Sequence, residues 1–137
     1  MANGQWPQEI QAMATILIVE DSPDNMKLFR TLLTLRKHSI VGLTSGEGLL
    51  PTIESAQPAL VLMDIQLPGK DGFQLLEEIR SSPHRALRVV ALTAHAMSGD
   101  QERALSAGFD GYITKPIDIR SFPDQVARAL EGERVTT

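Results

Sequence analysis

The sequence predicts an α/β fold in which five parallel strands form one sheet covered by helices on both faces. Three observations predict it. Short apolar runs alternate regularly with longer amphipathic stretches. The strongest runs are apolar at nearly every position, as strands buried on both faces require. Acids stand directly after two of these runs, and an open parallel sheet places its ligands outside the carboxyl ends of its strands. A regular strand–helix alternation also implies right-handed crossovers.

Residues 1–14 stand outside the alternation, and Met13-Ala14-Thr15-Ile16 reads as a natural start. They are expected to be an N-terminal extension to a single domain over 15–131, with 132–137 a tail too short to be an output domain. The first run, 15–19, is fully apolar after its threonine. It leads to a helix with Pro23 in its first turn and a stripe of Leu28, Phe29, Leu32, Leu33 and Leu35. The second run, 40–44, is weaker and contains Gly42. A short second helix follows, with Pro51 near its start. The third run, 59–63, ends at Asp64, and the helix after it carries Leu75, Leu76 and Ile79 at i, i+1, i+4 spacing. The fourth run is 87–92. A weak helix over 97–107 follows, anchored by Met97, Ala104 and Leu105, and its thin stripe fits either a surface helix or a mobile one. The fifth run is only Tyr112-Ile113. The last stripe is Ile119, Phe122, Val126, Ala129 and Leu130, and Pro123 is tolerable only if this helix starts near Ser121.

Bulk properties remove several function classes. A chain of 137 residues can bury a real core as one domain. Thirteen basic against 17 acidic side chains give no electrostatic footprint for non-specific nucleic-acid binding. With no cysteine, disulfides, thiol catalysis and cysteine-ligated metals are excluded. No apolar run reaches the ~18 residues of a membrane span, and no secretory signal opens the chain. A cytoplasmic location is expected.

The chemistry-bearing positions are the strand ends. Glu20 and Asp21 end the first run and Asp64 the third. Gathering carboxylates is unfavourable: two charges ~4 Å apart repel by roughly 4 kcal/mol at an effective dielectric near 20. Such a cluster needs a raised pKa or a cation, and hard oxygen ligands without His or Cys suit Mg²⁺. Each acid has a plainer explanation. Asp21 before Ser22-Pro23 could cap the next helix, Glu20 could be a solvated strand end, and Asp64 a turn residue. None of these explains acids at the ends of both strands. Thr93 after the fourth run offers a hydroxyl, and Lys115 after the fifth offers a point charge for phosphate; alone, each reads as an ordinary strand or surface residue. Together the set describes phosphoryl transfer to Asp64, with charge neutralised by the metal and Lys115. Asp64 would be a covalent nucleophile forming an acyl phosphate.

Glu20-Asp21, Asp64 with Leu67-Pro68-Gly69-Lys70-Asp71-Gly72, Thr93-Ala94 and Lys115-Pro116 resemble the receiver domain of two-component response regulators. The likeness covers nearly everything after Met13 and is similar above all to single-domain phosphorelay receivers and receivers attached to hybrid histidine kinases. It implies a flavodoxin-like doubly wound sheet of order 2-1-3-4-5. It implies Asp64 as phosphoacceptor, and Mg²⁺ bound by Asp21, Asp64 and the Gln66 backbone carbonyl, with Glu20 acting through water. Thr93 and Lys115 would each hold a phosphoryl oxygen, and Lys115–Pro116 would be cis. Tyr112 falls at the switch-aromatic position, rotating inward as Thr93 moves; its plainer reading is a strand tyrosine with a wet hydroxyl. Gln66 and His95 would tune dephosphorylation. His38, beside Ser39 where a glycine often stands, reads as a surface residue.

The expected function is a signalling switch, not an enzyme on external substrates. It would take a phosphoryl group from a histidine kinase or histidine phosphotransfer protein. It would signal through the face made by the fourth helix, fifth strand and fifth helix, with a phosphorylation-dependent dimer also in view and no direct nucleic-acid contact. The competing readings are a pseudo-receiver working without phosphorylation, which the intact acid–threonine–lysine set opposes, and a Mg²⁺-dependent phosphatase, which would need a substrate pocket or cap for which the short loops leave little sequence.

Overall fold

Five strands rich in branched apolar residues pair side by side in the computed structural model, which describes residues 14–94 and 99–136. They are β1 (Thr15–Val19), β2 (Ser39–Leu43), β3 (Leu60–Asp64), β4 (Val89–Thr93) and β5 (Gly111–Thr114). All pair in parallel in the order β2-β1-β3-β4-β5, so the doubly wound 2-1-3-4-5 architecture holds. The helices are α1 (Pro23–Thr34), α2 (Leu49–Ala56), α3 (Gly72–Arg80), α4 (Asp100–Ala107) and α5 (Phe122–Leu130).

Strand alternation divides the core in two. Leu17, Val19, Val61, Met63, Val89 and Ala91 face α2, α3 and α4 through Ile53, Leu75, Leu76, Ile79 and Ala104. Ile16, Ile18, Leu60, Leu62, Val90 and Leu92 face α1 and α5 through Phe29, Leu33, Phe122, Val126 and Ala129. Each fully buried Leu, Ile or Phe contributes about 1.5–3 kcal/mol over its exposed state. Phe29 stacks on Phe122 with ring centroids 5.3 Å apart, locking α1 to α5 with about 0.5–1.5 kcal/mol beyond area burial. On the other face Arg80 ties three segments together. Its guanidinium donates to the carbonyls of Arg85, Leu87 and Gly108 and to Asp110, whose carboxylate also accepts the Val89 N–H.

Proline placement follows the missing N–H. Pro23 opens α1 behind the Ser22 N-cap, Pro51 lies in the first turn of α2, and Pro123 in the first turn of α5. All three fall where no intrahelical donor is needed. The weak fourth helix is described only from Asp100, and residues 95–98 and 1–13 lie outside the described residues.

Three expectations are corrected. His38 is buried, at 5 % exposure, because the α1–β2 turn folds it under the helix end, where its N–H bonds the Leu33 carbonyl. Leu35 is 75 % exposed: it is the C-cap residue of α1, beyond the turn that faces the sheet. Ile119 is 57 % exposed, since α5 begins three residues later and Ile119 belongs to the preceding loop. Within the expected tail, residues 132–136 pack back on the domain, for Val135 is 4 % exposed and Thr136 bridges to Tyr112.

Candidate functional site

The carboxyl ends of β1 and β3 lie side by side because the strands pair through Val19 and Met63. The residues that follow therefore converge. Ligand oxygens of Glu20, Asp21 and Asp64 all lie within 4.8 Å of one another. Glu20 and Asp64 are buried, at 1 % and 3 % exposure, while Asp21 is exposed. Lys115 reaches in from the end of β5, its Nζ 2.9 Å from Asp64 Oδ2 and 3.2 Å from Glu20 Oε1. The other oxygens are held by main chain: Gln66 N–H donates to Asp64 Oδ1 at 2.8 Å and Ser22 N–H to Glu20 Oε2 at 3.1 Å. Capping of α1 falls to Ser22, whose hydroxyl accepts the Asn25 N–H, so the capping role does not occupy Asp21.

Thr93 ends β4 and is fully buried. Its carbonyl accepts the Lys115 N–H at 2.7 Å, which joins the two strand ends carrying the hydroxyl and the ammonium. The Lys115–Pro116 peptide bond is cis. Tyr112 is half-buried on β5 opposite Ala91 and packs against the α2–α4 side of the core. His95 lies outside the described residues. Beside Lys115 a groove of about 490 Å³ opens between α1 and the β5–α5 loop, lined by Asn25, Leu28, Ala94, Pro116, Ile117 and Ile119 among others.

The electrostatics leave a surplus of negative charge, with three carboxylates facing one ammonium. Burial pushes the Glu20 carboxyl up, against the lowering effect of the Ser22 N–H, and the neighbouring Asp64 charge adds to the rise. Burial alone would lower the Lys115 ammonium, but its bonds to Asp64 and the Glu20 charge outweigh this and raise it. Lys115 is thus a fixed cation. An all-oxygen donor set, partly buried and short of positive charge, fits a hard divalent cation such as Mg²⁺ that keeps several waters.

Gly72, read in the sequence only as part of the matching motif, has a role in the site that sequence reasoning did not assign. A Cβ on Gly72 would lie 2.6 Å from the Ile65 Cα and 2.7 Å from the Asp64 carbonyl oxygen. Gly72 therefore lets the start of α3 sit directly against the strand end that presents Asp64. The signal was present in Pro68-Gly69-Lys70-Asp71-Gly72: Gly69 takes the positive φ of 76° and Asp71 forms a capping box with Gln74, which leaves the second glycine to be explained by close approach.

Comparison with known proteins identifies the family. The response regulator receiver domain family matches residues 16–127. The polar-differentiation response regulator DivK of Brucella ovis is 37% identical over 117 residues, covering 85% of this chain and 95% of DivK. The sensor protein GacS of Pseudomonas syringae pv. syringae is 38% identical over 117 residues, 82% of this chain, and the aligned part is only 13% of GacS. Among solved structures, a putative response regulator of Chloroflexus aurantiacus superposes with a TM-score of 0.81 at 27% identity, covering 87% of this chain and 98% of that one. The receiver domain of a Pseudomonas aeruginosa sensor histidine kinase, crystallised with a magnesium ion coordinated in its active-site cleft, has a TM-score of 0.78 at 30% identity, covering 88% and 99%. Because the family match over residues 16–127 includes all but the first residue of the sheet and every strand end that converges on Asp64, the chain belongs to the response regulator receiver domain family, the signalling modules of two-component systems.

Proposed function

We propose that residues 15–131 act as a phosphorylation-dependent switch in which Asp64 accepts a phosphoryl group from the phosphohistidine of a histidine kinase or histidine phosphotransfer protein. The carrying observation is the double hold on Asp64: the Gln66 N–H fixes Oδ1 while the Lys115 ammonium sits on Oδ2. A buried carboxylate oriented in this way is a positioned nucleophile rather than a turn residue. A carboxylate oxygen attacks phosphorus, an O–P bond forms, and the P–N bond of the donor breaks as the neutral imidazole leaves with a proton from solvent.

Lys115 swings from carboxylate to phosphoryl oxygen with little travel, and the Thr93 hydroxyl takes a second oxygen. Asp21, Asp64 and the Gln66 carbonyl would hold Mg²⁺, with Glu20 acting through water. The ion supplies charge neutralisation to the phosphoryl oxygens. The groove beside Lys115, with exposed Ile119 at its rim, supports approach of the donor from the α1 side. Tyr112 and Thr93 would relay the state of Asp64 to the α4–β5–α5 face, where a downstream protein reads it. Gln66 is exposed next to Asp64, which supports a role for it, with His95, in setting phosphate lifetime. Among the described residues no helix is long and apolar enough to cross a membrane, in keeping with a cytoplasmic site of action.

Intact mass after incubation with a small phosphodonor and Mg²⁺ tests the reading. The chain should gain one phosphoryl group and Asp64→Asn none. No gain in the unaltered chain, under conditions that phosphorylate other receivers, favours the pseudo-receiver.

A further inference from the structure

A parallel sheet that ends at β5 would leave that strand's outer edge open. Here it is covered. After α5 the chain turns at Gly132, φ 96°, and runs back along β5. The Val135 carbonyl accepts the Tyr112 N–H at 2.7 Å, and Thr136 forms a parallel bridge with Tyr112. Val135 is buried with Val126, Ala129 and Ile113, while Arg134 and Thr136 on either side are exposed. Arg88 clamps the return, donating to the carbonyls of Ala129 and Glu133, each at 2.8 Å. The seat is shaped for a main chain: any Cβ on Gly111 would run into the Val135 carbonyl oxygen.

An exposed edge strand is a template for pairing, and proteins cover such edges. Among the described residues the cover seats one apolar side chain, takes one hydrogen bond from the β5 main chain and two from Arg88. A segment seated through one side chain and main-chain carbonyls, on a strand that carries Tyr112, can be exchanged for another of the same form. We propose that the β5 edge is a docking site for an extended peptide strand bearing a β-branched apolar residue between polar ones, held closed by the chain's own residues 133–136. The resident segment defines the chemistry of the partner: main-chain pairing gives affinity and the Val135 seat gives selectivity. Being tethered, it competes at high effective concentration. This goes beyond the phosphoacceptor reading and does not depend on it.

The test follows the Tyr112 amide in the isotope-labelled full chain by hydrogen exchange and chemical shift. Val135→Asp should leave the other strands protected while Tyr112 exchanges at least about tenfold faster. A free peptide of residues 131–137 added to that variant should restore protection, and the same peptide with Asp in place of Val should not. Unchanged Tyr112 protection in Val135→Asp overturns the proposal, and so does an open edge that ignores the wild-type peptide. Should Val135→Asp not fold, Gly111→Ala blocks the seat with the tail intact. It should give the same faster exchange without response to peptide, and unchanged exchange there also overturns the proposal.

Discussion

Replacing Gly72 with alanine sets two effects of opposite sign against each other. Gly72 is the first residue of α3, and helix propensity alone favours alanine over glycine by about 0.5–1 kcal/mol. Against this, the new Cβ would lie 2.6 Å from the Ile65 Cα and 2.7 Å from the Asp64 carbonyl oxygen. Both neighbours are main chain, so neither can rotate away. Ordinary carbon contacts need ~3.5 Å or more, so α3 and the end of β3 must separate by nearly 1 Å. Overpacking of this kind costs about 1–3 kcal/mol, which exceeds the propensity gain and leaves a net loss on the order of 1 kcal/mol. For a domain of this size that lowers Tm by roughly 3–8 °C, read by circular dichroism. The same displacement moves Asp64 relative to Lys115. Phosphorylation by a small donor should therefore slow by about tenfold or more, since misplacement on this scale is costly. A Tm equal to or above that of the unaltered chain would show that propensity wins and that α3 does not press on the Asp64 strand end.

Further outcomes follow from other contacts. Lys115→Met removes the ammonium from Asp64 and Glu20; with that competing charge gone, Mg²⁺ should bind on the order of tenfold tighter by calorimetric titration, while phosphorylation is lost. Arg80→Ala breaks four hydrogen bonds and leaves Asp110 without its guanidinium; denaturant unfolding should show a loss of about 2–3 kcal/mol. His38 has its pKa lowered, first by burial and then by the Arg36 charge. The unfolded chain therefore binds the proton more readily, and the contribution of His38 to stability is present above about pH 6.5 and is lost as pH falls toward the folded value. Tm should drop between about pH 7.5 and 5.5, and His38→Leu should flatten that drop.

The legibility of the sequence tracked how local each cause was. β1, β3 and β4 announce themselves because burial on both faces makes nearly every position apolar. β2 and β5 are fainter for the opposite reason: as outer strands they keep half-exposed positions, and Gly111 serves the tail rather than the core. The acidic site was readable because strand ends are fixed by strand pairing, so residues distant in sequence are placed by the same register. His38 was misread because its burial depends on how a turn with Lys37 at positive φ folds back, which composition does not encode. Gly72 and Val135 were given no role alike, since each makes its decisive contact with main chain from another element. The stripe assigned to Leu35 and Ile119 failed at helix ends, where a one-residue extension carries a side chain about 100° round the axis.

The charge balance at Asp64 bears on why the acids are gathered at all. In this structure Lys115 bonds both buried carboxylates and still leaves a negative surplus; burial pushes the Glu20 carboxyl upward and the neighbouring Asp64 charge adds to the rise. Such an arrangement is a poor way to stabilise a fold, because a buried ion pair seldom recovers its desolvation cost. It is a good way to hold a site that must accept more charge. In the proposed reaction a singly charged carboxylate becomes an acyl phosphate of nearly double charge. The surplus that is unfavourable at rest would suit a divalent cation held by these acids, whose charge with that of Lys115 would match the phosphorylated state better than the resting one. The same three acids would therefore weaken the bare domain and favour its phosphorylated form. By this reasoning Asp64→Asn, which removes one of the crowded charges but keeps the shape, should not destabilise the metal-free domain, although it abolishes phosphorylation. A metal-free Asp64→Asn chain clearly less stable than its parent would mean that the Lys115 ion pair holds the fold together and that the acids are gathered for structure.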